Sequence, residues 1–313
     1  MKIFQGFENI EAISNPVLTI GTFDGVHIGH QKIINQLNKA AKEIGGESVL
    51  FTFYPHPRMV LYPENHGLKL IQTQMEKMDK LRRFGLKNVI VHPFTKNFSR
   101  LSALEFVRDY LVNQLHVKKL VIGYDHQFGK NREGSISFLR EVQDTYGFEV
   151  IEIPAQEIDD VNISSTKIRN AILKGETNRV AKFLGEPYEL YGRVVKGQAL
   201  GRIIGFPTAN IDIESDIKLL PKAGVYAVNV LLPDGSIREG MMNIGTKPTI
   251  ATAISISLEV HLFDFDQDIY GKYITVQFLS RFRDEEKFNS VFDLREQLSK
   301  DEVSIRTYFS DGL

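Results

Sequence analysis

Short apolar, β-branched runs alternate with stretches of helical period over the first half of the chain. Runs at 17–20, 48–53, 88–94, 119–123 and 148–153 read as strands. Between the first two, Ile33, Ile34, Leu37, Ala40, Ala41 and Ile44 fall on one stripe of a helix over 31–44, which Gly45-Gly46 ends. Ser102 and Glu105 form a capping-box signature ahead of Phe106, Val107, Tyr110 and Leu111. Strand–helix alternation predicts an α/β, Rossmann-like domain, its mostly parallel sheet covered by helices on both faces. Connections leaving the carboxyl ends of such strands are where ligands bind.

The pattern changes near residue 185. Helical stretches at 166–174 and 178–184 close on Gly175 and Gly185, and Pro187 follows. Six β-rich runs come next, at 188–195, 208–213, 225–232, 237–244, 255–263 and 273–282, with a Pro233-Asp234-Gly235 turn between the third and fourth. Consecutive strands without intervening helices predict a small antiparallel β-barrel, and the chain from Glu285 onward reads as a C-terminal helix. A length of 313 residues suits two domains, expected over 1–185 and 186–313.

Composition narrows the chemistry. The formal net charge is −1, which argues against an electrostatic footprint for nucleic acid or anionic membrane. Without cysteine there can be no disulfide, zinc–thiolate site or thiol nucleophile. No apolar run reaches membrane-spanning length and no secretory pattern opens the chain, so a cytoplasmic protein is expected, monomeric or weakly self-associating.

The densest chemical signal is Gly21-Thr22-Phe23-Asp24-Gly25-Val26-His27-Ile28-Gly29-His30, set between the strand at 17–20 and the helix after it. A strand, a glycine-rich turn and a helix N-terminus make an anion cradle, in which backbone N–H groups and the positive dipole end face a phosphate. Gly21, Phe23, Asp24, Gly25 and Gly29 are its phosphate-binding candidates, and His27 and His30 share one side of the first helical turn. Such a setting suits attack on the α-phosphate of a nucleoside triphosphate as pyrophosphate leaves. At a second helix start, Ile163-Ser164-Ser165-Thr166-Lys167-Ile168-Arg169 sets hydroxyls beside cations: an ordinary N-cap, or a grip on the leaving phosphates through Ser164, Thr166 and Arg169.

Paired in this order, Gly-Thr-Phe-Asp-Gly-Val-His-x-Gly-His and Ile-Ser-Ser-Thr-x-x-Arg resemble the adenylyltransferase module of bacterial FAD synthetases, among the His-x-Gly-His nucleotidyltransferases. The resemblance implies that the FMN phosphate attacks ATP, giving FAD and pyrophosphate, with His27 and His30 catalytic and no protein nucleophile required. Two further segments fit a flavin end: Phe53-Tyr54-Pro55-His56-Pro57, and Tyr124-Asp125-His126-Gln127-Phe128-Gly129, in which His126 stands where the family commonly has an aromatic residue. Both follow strands and offer flat surfaces through Pro55, His56, Asp125 and Phe128, although loop packing explains these residues almost equally well.

In the second domain, the glycine-rich run from Gly192 to Ile211 lacks the Gly-Lys-Ser/Thr ending of a P-loop, and by composition it is an ordinary surface connection. Thr208 and Asn210 share one face of a strand and could offer oxygens to one hard cation. Taken with Asn243-Ile244-Gly245 and Glu259-Val260-His261-Leu262-Phe263, this run resembles a riboflavin kinase module. The resemblance implies that Gly197, Gly201, Gly205 and Pro207 serve ATP and flavin, that Thr208 and Asn210 serve MgATP, that Glu259 is general base toward the riboflavin 5′-hydroxyl, and that Arg283 lies near the flavin. The two resemblances together imply a bifunctional enzyme taking riboflavin to FMN and FMN to FAD, with Mg²⁺ as divalent metal alongside ATP and flavins as substrate and product. Rival readings are another His-x-Gly-His adenylyltransferase acting on a pantetheine or nicotinate phosphate, a non-catalytic flavin or nucleotide sensor, and a chain with only one working domain.

Overall fold

The apolar runs assemble into two sheets of different kinds. A computed structural model describes the chain apart from residues 9, 11, 65–66, 125, 155–162, 198–199, 249–253 and 313. It divides into two compact units, Met1–Ser165 and Thr166–Leu313.

The first unit is built on a six-stranded sheet of β1 (Lys2–Gln5), β2 (Val17–Ile20), β3 (Ser48–Tyr54), β4 (Asn88–Pro93), β5 (Lys119–Gly123) and β6 (Glu149–Ile153). Its order is β1-β4-β3-β2-β5-β6 and every pairing is parallel. Alternate side chains enter separate cores: Leu18, Ile20, Phe51 and Ile122 join one, while Val17, Leu50, Val89 and Val121 join the other. Both faces are therefore buried, and helices cover both, as strand–helix alternation predicted. The first helices are α1 (Ile28–Glu43), α2 (Pro57–Leu61), α3 (Gln74–Arg83), α4 (Ala103–Glu105, running on into wider turns over Phe106–Val112) and α5 (Ile136–Tyr146). In α1, Ile34, Leu37, Ala40 and Ala41 are buried, and Gly45 follows its end at φ +61°. The Ser102–Glu105 capping box forms.

Strand order reverses at β2, which lies between β3 and β5, so the β2–α1 connection opens at the switch point of the sheet. Two elements of this unit carried no hydrophobic signal. β1 is a four-residue edge strand with mostly exposed side chains, so it lacks an apolar face to read. Helix α3 has its own capping box from Thr73 and Glu76, but two of its four buried residues are lysines, which breaks the apolar stripe.

The second unit carries α6 (Ser165–Lys174) and α7 (Thr177–Leu184), then a closed barrel of β7 (Tyr188–Val195), β8 (Ala209–Asp212), β9 (Gly224–Leu231), β10 (Ile237–Pro248), β11 (Ile254–Leu262) and β12 (Tyr273–Arg283). Around the barrel the order is β10-β11-β8-β7-β12-β9, antiparallel throughout. The C-terminal helix α8 (Val291–Ser310) packs over it, burying Ile305 with Phe206, Val225, Met241 and Phe263. The spatial division falls at 165/166, ahead of the 185/186 position expected from composition. Helix α7 packs on β7 and β12, and Lys222 N–H bonds the Ile172 carbonyl of α6, so these helices go with the barrel.

Candidate active sites

In the first unit the chain leaves β2 buried and must turn at once into α1. Phe23 and Val26 adopt φ values of +49° and +38°, sterically disfavoured for any side chain and most of all for a β-branched one. The turn is held from below. The Asp24 carboxylate accepts the backbone N–H of Ile71 (3.1 Å) and of Gln72 (3.2 Å), while the Asp24 carbonyl accepts the Ser165 hydroxyl (3.0 Å). At Gly25 (φ +93°) a Cβ would press on Ile71, and at Gly21 it would meet the Phe23 ring. Asp24 thus acts here as an anchor, its negative charge turned into the fold.

His27 caps α1: its Nδ1 accepts the His30 backbone N–H at 3.4 Å. With Nδ1 an acceptor, the neutral ring carries its proton on Nε2. The two imidazoles stack at 3.7 Å between centroids, and Phe23 stacks on the far side of His30 at 4.4 Å. Burial, with Lys80 nearby, pushes His27 down to about pKa 4. Burial also holds His30 well below the usual histidine range, reinforced by His27, Lys77 and Lys80. Both rings are therefore neutral at pH 7, each with one N–H available to donate. Nδ1 of His30 is buried without a hydrogen-bond partner among the described residues, a polar demand left inside the site. The amides of Ile28 and Gly29 belong to the opening turn of α1, which no carbonyl of the helix itself can reach.

Positive charge comes instead from two residues that sequence reasoning missed. Lys77 and Lys80 of α3 are 6% and 1% exposed. Lys77 Nζ donates to the Thr22 carbonyl (3.1 Å) and to Oγ1 of Thr52 (3.2 Å), and Lys80 Nζ reaches the Gly25 carbonyl at 3.5 Å. Lysines on the apolar side of an otherwise charged helix were the only available signal.

The remaining candidates of the first set lie elsewhere, Thr166 and Arg169 in the second unit. Ser164 and Thr166 are exposed and Arg169 half-buried around the start of α6, and Ser165, between the two hydroxyl candidates, carries the bond to the loop. Pro55 is exposed after β3, and half-buried His56 caps α2 through Nδ1 to the Arg58 N–H (3.2 Å). Phe128 is a core residue: it joins the aromatic cluster of Phe106 and Phe138, and Gly134 lies so close that a Cβ there would overlap its ring. Asp125 lies outside the described residues.

In the barrel the candidates converge. Gly201, Thr208, Asn210, Glu259 and Arg283 line one cavity of about 260 Å³, whose apolar wall includes Phe206, Met241, Leu294 and Leu298. Glu259 is paired across the sheet with Asn210 on one side and Asn243 on the other, and it accepts the Thr208 hydroxyl at 3.4 Å. An isolated strand would leave such a carboxylate facing solvent; here barrel closure half-buries it. Gly197 lies where a Cβ would overlap the Asn210 carboxamide, and Gly201 where one would overlap the Phe206 carbonyl. Gly205 turns at φ +91°. Pro207 lines a second cavity of about 400 Å³ with Arg202, Asp268 and Tyr270, and Thr208 borders both cavities. His261, two residues from Glu259, bonds the Pro207 carbonyl through Nδ1 at 2.7 Å and steadies this turn, a role its position on a strand did not disclose. Arg283 is engaged by Asp301 of α8, with Nε at 2.9 Å from Oδ1 and Nη2 at 2.7 Å from Oδ2; Gln297 supports the same carboxylate. It therefore fastens the cavity wall while also lining the cavity.

Comparisons with known proteins bear on both halves. A family model described as FAD synthetase matches residues 9–167, and one described as riboflavin kinase matches residues 184–309. The bifunctional riboflavin kinase/FMN adenylyltransferase of Haemophilus influenzae is 38% identical over 99% of this chain and 100% of its own length. That of Listeria monocytogenes is 40% identical over 95% of this chain and 93% of its own. A crystal structure from Streptococcus pneumoniae, described as a macrolide-efflux protein, superposes with a TM-score of 0.88 at 36% identity, covering 97% of this chain and 98% of that one. Among the described residues no helix is long and apolar enough to cross a membrane. With each unit matching its own family model and relatives aligned end to end, the chain belongs to the bifunctional riboflavin kinase/FMN adenylyltransferase family.

Proposed function

We propose that the two activities of this family divide between the two units, with adenylyl transfer to FMN at the β2–α1 loop and phosphorylation of riboflavin in the barrel cavity. The carrying observation is segregation: His27 and His30 lie in one compact unit, and Glu259 with Thr208 and Asn210 in the other. In sequence terms the modules are read as 1–185 and 186–313, so α6 and α7, which cluster with the barrel, are assigned to the first module by sequence alone.

For adenylyl transfer, an oxygen of the FMN phosphate attacks the α-phosphorus of ATP as the bond to the bridging oxygen breaks and pyrophosphate leaves. The FMN phosphate is anionic at neutral pH, so no base is required. The neutral imidazoles donate to the α-phosphate oxygens as charge builds there, and the amides of the loop and of the first α1 turn add fixed dipoles. Gly21, Gly25 and Gly29 allow the close backbone approach. Ser164, Thr166 and Arg169 are assigned to the leaving pyrophosphate on their hydroxyl and cation chemistry. Pro55 and His56 are assigned to the flavin end.

For the kinase step, Glu259 takes the proton of the riboflavin 5′-hydroxyl, whose oxygen attacks the γ-phosphorus of ATP and releases ADP. The apolar cavity beside Glu259 suits the flavin ring, and the cavity bordered by Arg202 and Pro207 suits the nucleotide, with Thr208 at their boundary. The Thr208 hydroxyl and the Asn210 carboxamide oxygen are hard donors facing one cavity, the set a small divalent cation prefers, and they would hold the magnesium of MgATP there. When bound, it neutralises phosphate oxygens. The reading is of a cytoplasmic enzyme, monomeric or weakly self-associating, without nucleic-acid or membrane partners.

Incubation with riboflavin, ATP and Mg²⁺ tests it. His30→Ala should stop FAD formation while FMN accumulates, and Glu259→Ala should stop FMN formation yet convert supplied FMN to FAD. Parallel loss of both activities in either variant defeats the assignment.

A further inference from the structure

Helix α3 and the residues just ahead of it hold the phosphate loop at three points, two of them at backbone carbonyls. Asp24 is tied to the backbone just ahead of the helix, Lys77 holds the Thr22 carbonyl and Lys80 reaches the Gly25 carbonyl. Thr52 at the end of β3 completes the Lys77 anchor, since its hydroxyl bonds both Lys77 Nζ and the Thr22 carbonyl (3.3 Å). A trans peptide is planar, with its C=O and N–H pointing opposite ways. Drawing the Thr22 carbonyl inward toward Lys77 therefore turns the Phe23 N–H outward. The same peptide leads into the left-handed Phe23, whose ring stacks on His30, which stacks on His27. One ammonium thus stands behind the whole column.

We propose that Lys77 is a positioning residue for adenylyl transfer: it sets the Thr22–Phe23 peptide with its N–H toward the nucleotide phosphates, keeps the Phe23 ring against His30, and places a buried positive charge behind the amide where phosphate charge builds. This rests on the assignment of His27 and His30 to that reaction. Three observations support it. A lysine is rarely buried without a specific use. Its donors go to a loop carbonyl and a hydroxyl. The titratable groups facing it are Asp24 on the loop, His30 on α1 and Lys80 on its own helix, and of these only Asp24 favours its protonation. Burial lowers the Lys77 ammonium to about 8, opposed by Asp24, so the charge is present at neutral pH and is lost as pH rises through that value.

The experiment compares the full-length wild type with Lys77→Gln and Lys77→Met. Conversion of FMN to FAD is followed from pH 6.5 to 9.5, and riboflavin phosphorylation by the same chain reports that the rest of the protein is intact. The wild-type kcat for FAD formation should fall above about pH 8. Lys77→Gln, which keeps a donor without the charge, should lower kcat about 100-fold with KM for ATP changed less than threefold, and should show no alkaline limb. Lys77→Met should be slower still. A wild-type profile flat to pH 9.5, a Lys77→Gln enzyme within twofold of wild type, or an alkaline limb persisting in Lys77→Gln overturns the proposal. Should Lys77→Gln fail to fold, the wild-type profile decides alone: a limb near pH 8 supports it and a flat profile refutes it. FAD formation surviving in His30→Ala defeats the site assignment; an inactive His30→Ala beside an unimpaired Lys77→Gln defeats only the role of Lys77.

Discussion

Removing the carboxylate of Asp301 should unfasten α8 from the barrel and damage riboflavin phosphorylation selectively. Asp301 is 5% exposed, and its partner Arg283 is 17% exposed at the side chain. By contrast, the Arg82–Asp79 pair on α3 is 52% and 60% exposed, where solvent screening reduces an ion pair to at most about 1 kcal/mol. Asp301→Ala leaves a largely enclosed guanidinium with, among the described residues, the Asp284 carbonyl (3.0 Å) to receive it, and it strips Gln297 of its acceptor. Breaking a buried pair from one side costs about 3–5 kcal/mol. For a unit of this size that lowers the thermal midpoint by roughly 10 °C. Because Leu294 and Leu298 of the same helix form the cavity wall, KM for riboflavin should rise in parallel. The assay is calorimetry of the full chain together with separate rates for FMN and FAD formation. Asp301→Asn, which keeps the shape and one acceptor, should fall between wild type and Asp301→Ala. If both variants melt with wild type and keep its riboflavin KM, the Arg283–Asp301 pair is not what holds the helix.

Two further outcomes follow from the geometry. The folded first unit keeps His27 neutral down to about pH 4 whereas the unfolded chain takes up a proton near 6.5; stability therefore rises with pH across that window and is lost on acidification, by about 3 kcal/mol through this one ring. His27→Asn, which retains a capping acceptor, should flatten the pH dependence of urea unfolding between 6.5 and 4, and an unchanged slope refutes the assignment. Gly197→Ala should push the Asn210 carboxamide aside, raising the Mg²⁺ concentration needed for half-maximal FMN formation while FAD formation from FMN stays at the wild-type rate.

What the residue pattern disclosed was whatever depends on local period and local chemistry. Strands β2 to β6 announce themselves because they are apolar, and α1 because its buried side follows a helical period. The His-x-Gly-His loop is legible because strand, turn and helix are adjacent in the chain. What stayed hidden depends on partners far away in sequence. Nothing near Arg283 points to Asp301, 18 residues on, and nothing near Asp24 points to the amides of Ile71 and Gln72. Phe128, expected at the flavin end, packs in an aromatic cluster, and an aromatic residue on a loop after a strand has the same sequence signature whether it faces a ligand or a core. Lys77 and Lys80 were passed over because a lysine inside a helix ordinarily marks solvent.

The missed lysines alter how the first site handles charge. Two histidines near a phosphate could in principle serve as cations or as neutral donors. Burial removes the first option: stacked at 3.7 Å and enclosed, both rings would have to be ionised together in a place that disfavours either. Neutral rings remain useful, because a donor fixed by capping and stacking need not reorganise as charge moves onto the α-phosphate. The cationic task falls to groups that can bear it. Lys77 stands behind the loop, held by a carbonyl and a hydroxyl. That role also explains why α3, with no ligand-facing motif of its own, is fastened to the loop at both ends of the Thr22–Gly25 turn.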